Sequence, residues 1–568
     1  MLVVTGVGTL IHLYAIGYLR GDARFTRFFI YLNLFLVMML VLVCADNYLM
    51  LFAGWEGVGL CSFLLIGFWF DKPGGEGEQN SRAARKAFLV NRVGDFGLLL
   101  AIFMIWWSFG SVRFQDVFAS APTQLTPGAP VAVAITLLMV LGAAGKSAQL
   151  PLFVWLPDAM AGPTPASALI HAATMVTAGI YVIVRSHILF ALAPLTQEVL
   201  IVIGTVTALL AANAALGQFD IKRVLAYSTI SQLGFMVAAV GLGAYAAGLF
   251  HLITHAFFKA LLFMGAGSII HALGYGNDMR RMGGLRSRMP ITFWTYTIGA
   301  LALAGIPPLA GFFSKDEILN HAAASHPFVY VLLSAAALLT AFYTGRQWLT
   351  IFWGEARSPA AADAVENSGI FTAPLVALAT LTLLAGALSL PGSETLAGWL
   401  GHTIGEAEAI PFQLTVAGVS VILSVSGLAL AYRLYGRKTA ETIWQEPLLL
   451  RNERLFDALQ HGWWLDTLYE HILIQPYKRL GARLAWADYA AFRRGEGVLM
   501  RAYNGLTTWL AGADEVVSLW FDRQINRTTR RAAGWVEQTQ TGQLNWNIVG
   551  VVGGLALLLI ITLWIGGR

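Results

Sequence analysis

Several ionisable side chains stand inside apolar runs, where each one costs at least about 2.5–3.5 kcal/mol in a bilayer and is therefore a functional candidate by default. Glu56 sits in the run 49–70 among Gly54, Gly57 and Gly59; Lys146 lies in LGAAGKSAQLPLFVWLPDAM and Lys315 in LAGIPPLAGFFSKDEIL. His251, His255 and Lys259 in HLITHAFFKA recur at i, i+4, i+8, so one helix face carries all three. His171, Asp95 and the group Asp220/Lys222/Arg223 complete the set. Carboxylate, ammonium and imidazole groups spaced through an apolar medium are the parts of a proton-transfer path. The competing reading is structural: lysines that snorkel to the interface, and Asp95 paired locally with Arg92 three residues before it. The two histidines of HLITH have a zincin's spacing, but Leu252 replaces the glutamate and no third ligand is evident, so no metal site is expected. Gly57-Val58-Gly59 and Gly241-Leu242-Gly243 lack the strand–turn–helix setting of a dinucleotide fingerprint and read as helix-packing glycines.

The elements that must position these groups follow from composition. The 568 residues are 57% hydrophobic and only 12% charged, against about 25% charged in soluble domains. Apolar runs of roughly 20 residues, the length a spanning helix needs, occur about fourteen times. They centre on 1–19, 27–45, 47–70, 86–108, 131–150, 164–190, 197–217, 223–243, 245–272, 291–309, 328–353, 371–391, 413–435 and 546–566. An all-α polytopic membrane protein is expected, and soluble dinucleotide enzymes, nucleic-acid binders and disulfide scaffolds are excluded. The net charge of +5 reflects loop cations rather than a nucleic-acid surface. Arg20, Arg24, Lys72, Arg82, Arg280 and Arg286 fall in loops of one parity, which the positive-inside rule assigns to the cytoplasm. Cys44 and Cys61 are the only cysteines, too few to ligate an iron–sulfur cluster. Lys146 and Lys315 each lie at a Pro/Gly interruption, and such interruptions recurring in two halves of a chain point to a transporter site. Two repeats in inverted orientation are compatible with this pattern.

Three segments are expected: a transmembrane domain over 1–435, an amphipathic region over 436–540, and a membrane anchor over 541–568. Beyond Pro476 apolar residues recur at helical spacing, as in Leu506, Trp509, Leu510, Ala513, Val517 and Trp520, with Asp514, Arg523, Arg527 and Arg530 on the polar side. A helix from about Asp488 to Gln540 would run roughly 80 Å. It would either lie on lipid or brace partner proteins.

The runs LFAGWEGVGLCSFLLIGFWF (51–70), KAFLVNRVGDFG (86–97), GKSAQLPLFVWLPDAMAGPTPASALIHAATMVTAGIY (145–181), DIKRVLAYSTISQLGFM (220–236), HAFFKALLFMGAGSIIHAL (255–273) and GFFSKDEIL (311–319) closely resemble the antiporter-like subunit L family of respiratory NADH:quinone oxidoreductase (complex I). The similarity runs to about residue 435; beyond it the lateral helix and anchor match by architecture. Family members carry two further spans ahead of the segment that opens this chain, so an N-terminally truncated start is expected. The resemblance implies a proton-translocating subunit of an H+-translocating oxidoreductase in the bacterial inner membrane, with the lateral helix on the cytoplasmic side against neighbouring antiporter-like subunits. It implies Glu56 as the membrane glutamate paired with the broken-helix Lys146, His171 as a linking histidine, Lys259 with His255 as the central relay, and Lys315 as the exit residue; a place for Asp95 in the network is the alternative to its local pairing with Arg92. Flavin, iron–sulfur clusters and quinone would belong to partner subunits, with no cofactor or metal in this chain. Mrp-type sodium/proton antiporter subunits share the lysine and glutamate pattern and form the alternative; the WEGVG run and the long C-terminal helix favour complex I. Charges 4 Å apart attract by about 4 kcal/mol at an effective dielectric near 20. Moving a proton against about 150 mV costs roughly 3.5 kcal/mol, so separating such a pair is an energetically sufficient switch.

Overall fold

The computed structural model describes the chain except for Tyr275, 391–394, 405–410, 437–438, 440, 540–541 and 567–568. Numbering the principal helices in chain order, α1 is Leu2–Tyr18, α2 Phe25–Cys44, α3 Tyr48–Ile66, α4 Glu76–Phe109, α5 Pro130–Lys146, α6 Thr164–Ala172, α7 Ala178–Arg185 and α8 Pro194–Leu216. They continue with α9 Ile221–Gly241, α10 Tyr245–Ala272, α11 Pro290–Ala304, α12 Ala310–Ser325, α13 Pro327–Phe352, α14 Gly369–Leu384, α15 Leu414–Tyr435, α16 Gln475–Thr539 and α17 Leu544–Gly566. Among the described residues eleven helical stretches are long and apolar enough to span a membrane, with α6 and α7 counted together as Thr164–Arg185, and α1, α5 and α11 are shorter apolar helices. Extended pairing there is limited to the isolated bridges Asn47–Arg113 and Asp220–Asp278. The fold is all-α and polytopic.

Two units are distinct, Met1–Thr467 and Leu468–Arg568. Within the first, helices meet where side chains are absent. A Cβ on Gly94 of α4 would lie 2.9 Å from the Leu141 carbonyl of α5, and one on Gly204 of α8 would lie 2.4 Å from the Ala238 nitrogen of α9. Small residues let backbones approach closely where lipid supplies no hydrophobic drive between helices. Gly243, expected as a packing glycine, instead forms a turn at φ +77° with nothing near its missing Cβ. The polar-rich α9 is buried along nearly its whole length, because Ser228, Ser231 and Gln232 find partners on neighbouring helices and Thr229 bonds back to the Leu225 carbonyl.

Both expected breaks are present. Helix α5 ends at Lys146, the chain runs irregularly through Pro151 and Pro157, and a helix resumes at Thr164. The 3-10 turn Met175–Thr177 then separates α6 from α7. Helix α11 ends at Gly305, which has φ +83°; Pro307 and Pro308 lack the N–H that would continue the helix, and α12 restarts at Ala310. The segment 442–467, which composition groups with the amphipathic region, packs within the first unit. Arg346 of α13 donates to Glu446 at 3.2 Å and to the Gln218 carbonyl at 2.7 Å, and the Tyr435 hydroxyl donates to the same carboxylate.

In the second unit α16 is a continuous 65-residue helix, about 98 Å long at 1.5 Å per residue. It begins at Gln475 rather than near Asp488, running on from the π-helical turn Glu470–Ile474, whose wider hydrogen-bond spacing accommodates the N–H that Pro476 lacks. The expected end, Gln540, lies outside the described residues. Trp509 and Trp520 on α16 are exposed, and α17 has no buried residue among those described.

Candidate functional site

Two ion pairs, Asp95–Lys146 and Glu56–Arg92, form between α3, α4 and α5. Lys146, fully buried, places its ammonium 3.2 Å from Asp95 Oδ1, and Asp95 is itself almost wholly enclosed. The contact follows from the glycine stripe: Gly94 and Gly145 bring the backbones of α4 and α5 together, so the residue after one glycine meets the residue after the other. Trp55 Nε1 donates to Asp95 Oδ1 at 2.7 Å, and the Trp55 ring lies 5.8 Å from the ammonium. Gly59 completes the pocket, since a Cβ there would stand 2.7 Å from Lys146 Nζ. Trp155 Nε1 donates to the Gly145 carbonyl at 3.0 Å, pinning the last turn of α5.

The partners differ from those expected. Lys146 pairs with Asp95 and not with Glu56; Glu56 accepts from Arg92, and so Asp95 is not the local partner of Arg92. Helix geometry explains the exchange. Gly59 and Trp55 occupy the face of α3 turned to Lys146, which carries Glu56 to the partly exposed edge where Arg92 reaches it. The result is two ion pairs, Asp95–Lys146 enclosed between the helices and Glu56–Arg92 at the partly exposed edge. Glu56 still acts on Lys146 through its field, second to Asp95.

The other candidates lie deeper in the first unit, all buried. Lys259 of α10 donates to Ser228 Oγ, and to the Leu225 carbonyl at 3.4 Å. His251 contacts Ser314 Oγ through Nδ1 at 2.9 Å and Gln232 Oε1 through Nε2 at 3.1 Å, while Thr254 shares a 2.8 Å hydrogen bond with the same Ser314. His255 stacks edge-on to Phe258 with centroids 5.3 Å apart, and lies 6.3 Å from the His251 ring. Neither ring nitrogen of His171 on α6 has a hydrogen-bond partner among the described residues, and its ring packs 4.8 Å from Phe263. Lys315 of α12 donates to the Leu303 carbonyl of α11 at 2.8 Å, across the second break. His171, His251 and His255 lie in the field of Lys259, and Lys259 in that of Lys315. Among the described residues no group of His, Cys, Asp and Glu is arranged to hold a metal ion.

Sequence reasoning passed over Ser228, Gln232, Thr254 and Ser314, the polar partners that join α9, α10 and α12. For Ser228 and Gln232 the signal is the density of Ser, Thr and Gln in AYSTISQLGF, inside an otherwise apolar run; Thr254 and Ser314 carry no such signal. Arg92 was noticed only as a neighbour of Asp95.

This geometry defines a class: a polytopic helical protein with two interrupted spans and a buried file of protonatable groups between them. Residues 45–340 match the family model described as NADH:quinone oxidoreductase/Mrp antiporter, TM, and residues 1–29 match that of the complex I chain 5 N-terminus. NADH-quinone oxidoreductase subunit L of Mycobacterium tuberculosis is 43% identical over 99% of this chain and 85% of its own length. The subunits of that name from Pseudomonas aeruginosa and Escherichia coli are 42% and 45% identical over 98% and 85% of this chain, and over 84% and 76% of theirs. Among solved structures, a chain of the Mrp complex from a Dietzia species matches with a TM-score of 0.66 and 30% identity over 85% of this chain, which spans 53% of that one. The chain belongs to the subunit L family of NADH-quinone oxidoreductases, the antiporter-like membrane subunits of complex I.

Proposed function

We propose that this chain moves protons across the bacterial inner membrane, driven by quinone reduction in partner subunits of complex I. The single observation that carries the reading is the buried Asp95–Lys146 pair, held at 3.2 Å at the end of a broken helix, with the Glu56–Arg92 pair at the edge beside it. At this separation the pair is worth about 4–5 kcal/mol at an effective dielectric near 20, against roughly 3.5 kcal/mol for one proton moved against about 150 mV. Drawing the Glu56 carboxylate away from Lys146 weakens the hold on its proton; returning it recovers that hold. The released proton passes to His171, to Lys259 with His255, and out at Lys315. His171 suits a transfer position because a neutral imidazole accepts at one nitrogen and donates from the other.

Redox chemistry belongs to partner subunits in this reading, with flavin, iron–sulfur clusters and quinone held there and no cofactor or metal held here. Helix α16 lies on the cytoplasmic side as a brace along neighbouring antiporter-like subunits, which is supported by its length and its exposed Trp509 and Trp520. An Asp at either tryptophan forces a charge against a dry surface, so Trp509→Asp lowers retention of this chain in the purified complex, read by native gel and mass spectrometry. An intact complex would make the helix a lipid anchor instead. The test of function is Lys146→Ala in the assembled complex: proton pumping in proteoliposomes and the quinone reduction coupled to it both fall. The second reading, an Mrp-type sodium/proton antiporter subunit, is favoured by the Dietzia likeness; sodium-dependent proton release without NADH would select it.

A further inference from the structure

A cavity of about 550 Å³ opens beside the first interrupted span, between the early turns of α4, the start of α9 and the loop after Pro157. The loop 147–163 joins the half-helix that ends at Lys146 to the one that carries His171, and its own regular structure is a single 3-10 turn, Asp158–Ala161. Three basic side chains from two helices converge on it. Lys86 of α4 donates to Asp158 Oδ2 at 2.6 Å, and Arg223 of α9 donates to Asp158 Oδ1 at 2.6 Å. Lys222, almost wholly buried, donates to the Met160 and Gly162 carbonyls at 2.5 and 2.8 Å. Lys86 also meets Asp466 Oδ1 at 2.6 Å.

Each helix that supplies a cation also supplies part of the proton path. Arg92 and Asp95 lie within about two and a half turns of Lys86 on α4, and Ser228, the partner of Lys259, lies within about one and a half turns of Arg223 on α9. The Asp158 ion pairs are partly exposed and individually weak. They act together because they share one carboxylate, placed on the loop that must stay in register with both helices.

We infer that Asp158 is a positioning residue for proton transfer: its carboxylate, clamped between Lys86 and Arg223, holds the interrupted-span loop against α4 and α9 and so keeps Lys146 on Asp95 and the next half-helix facing the Lys259 side. The inference rests on the proton-translocation reading above. Asp158 holds no substrate in this account and carries no proton; its charge fixes geometry.

The test compares Asp158→Asn, Asp158→Glu and Asp466→Asn in the assembled complex, measuring protons pumped per quinone reduced and hydrogen exchange of the 147–163 segment. Asp158→Asn keeps the size and removes the charge: pumping falls roughly three- to tenfold and exchange of the loop rises. Asp158→Glu restores at least half of both, which a role confined to packing would not produce. Asp466→Asn removes the other carboxylate on Lys86 without touching the loop and stays within about twofold of the parent. If Asp158→Asn does not assemble, Arg223→Gln removes one arm of the clamp and carries the same expectation at smaller size. Unchanged pumping with raised exchange overturns the inference, because the anchoring would then serve nothing in transport. Lost pumping with unchanged exchange also overturns it, because Asp158 would then act in some way other than by position. Lys146→Ala measured alongside separates the two layers: if it pumps normally the transport reading fails, while the exchange comparison still decides whether Asp158 anchors the loop.

Discussion

The two interrupted spans solve the same problem with different partners. At the first, Lys146 ends a half-helix and faces a buried carboxylate, Asp95, itself steadied by Trp55. At the second, Lys315 starts from the far half-helix and reaches back to a backbone carbonyl, Leu303. A full negative charge holds an ammonium far more firmly than a peptide dipole does, so the first site suits a controlled grip and the second suits release. The break itself therefore makes room for a lysine, and the partner decides what the lysine does.

That contrast is broken most severely at Asp95. Asp95→Asn leaves a buried ammonium without its counter-charge, a loss of about 3–5 kcal/mol for a buried pair, so coupled pumping should fall by about two to four orders of magnitude in complex that still retains this chain. Glu56→Gln, in the pair at the edge, should cost much less; equal losses would mean that Glu56 pairs directly with Lys146 after all. Next in size, Lys315→Met removes the group at the second break and should lower pumping roughly tenfold, whereas Lys315→Glu, which keeps a titratable group, should recover part of it. Full pumping by the Met variant in proteoliposomes would mean that protons leave elsewhere. The smallest effect is expected at Gly59, where a methyl must push aside the end of a flexible side chain. Gly59→Ala should shift the Lys146 ammonium and slow pumping roughly threefold, with no comparable effect from an alanine at the open position Gly6, where nothing lies within 4 Å.

Much of this was legible in the sequence, for a physical reason. Apolar length and Pro/Gly interruption are local properties, so the spans and both breaks could be placed to within a few residues, and the expense of intramembrane charge singled out Glu56, Lys146, Lys259 and Lys315. Pairing is not local. Whether Lys146 meets Glu56 or Asp95 depends on which face of α3 turns inward, and that is set by Gly94 against Gly145 and by the empty space at Gly59, contacts between segments distant in the chain. The start of α16 lies earlier than expected because a π-helical turn, Glu470–Ile474, absorbs Pro476 without ending the helix, and no local pattern in the sequence announces such a turn. Ser228 and Ser314 carry no charge and so drew no notice, yet they are the groups that hold Lys259 and His251.

The central claim is that Asp95 and Lys146 form one switch. The direct measurement is a double-mutant cycle in the assembled complex, with proton pumping in proteoliposomes recorded for Asp95→Asn, Lys146→Ala and the pair. Residues that act as a unit are strongly non-additive, so the account predicts that the double variant pumps no worse than the poorer single one. Losses that multiply, with the double variant lower by the product of the two single effects, would show that the residues work independently and would contradict it.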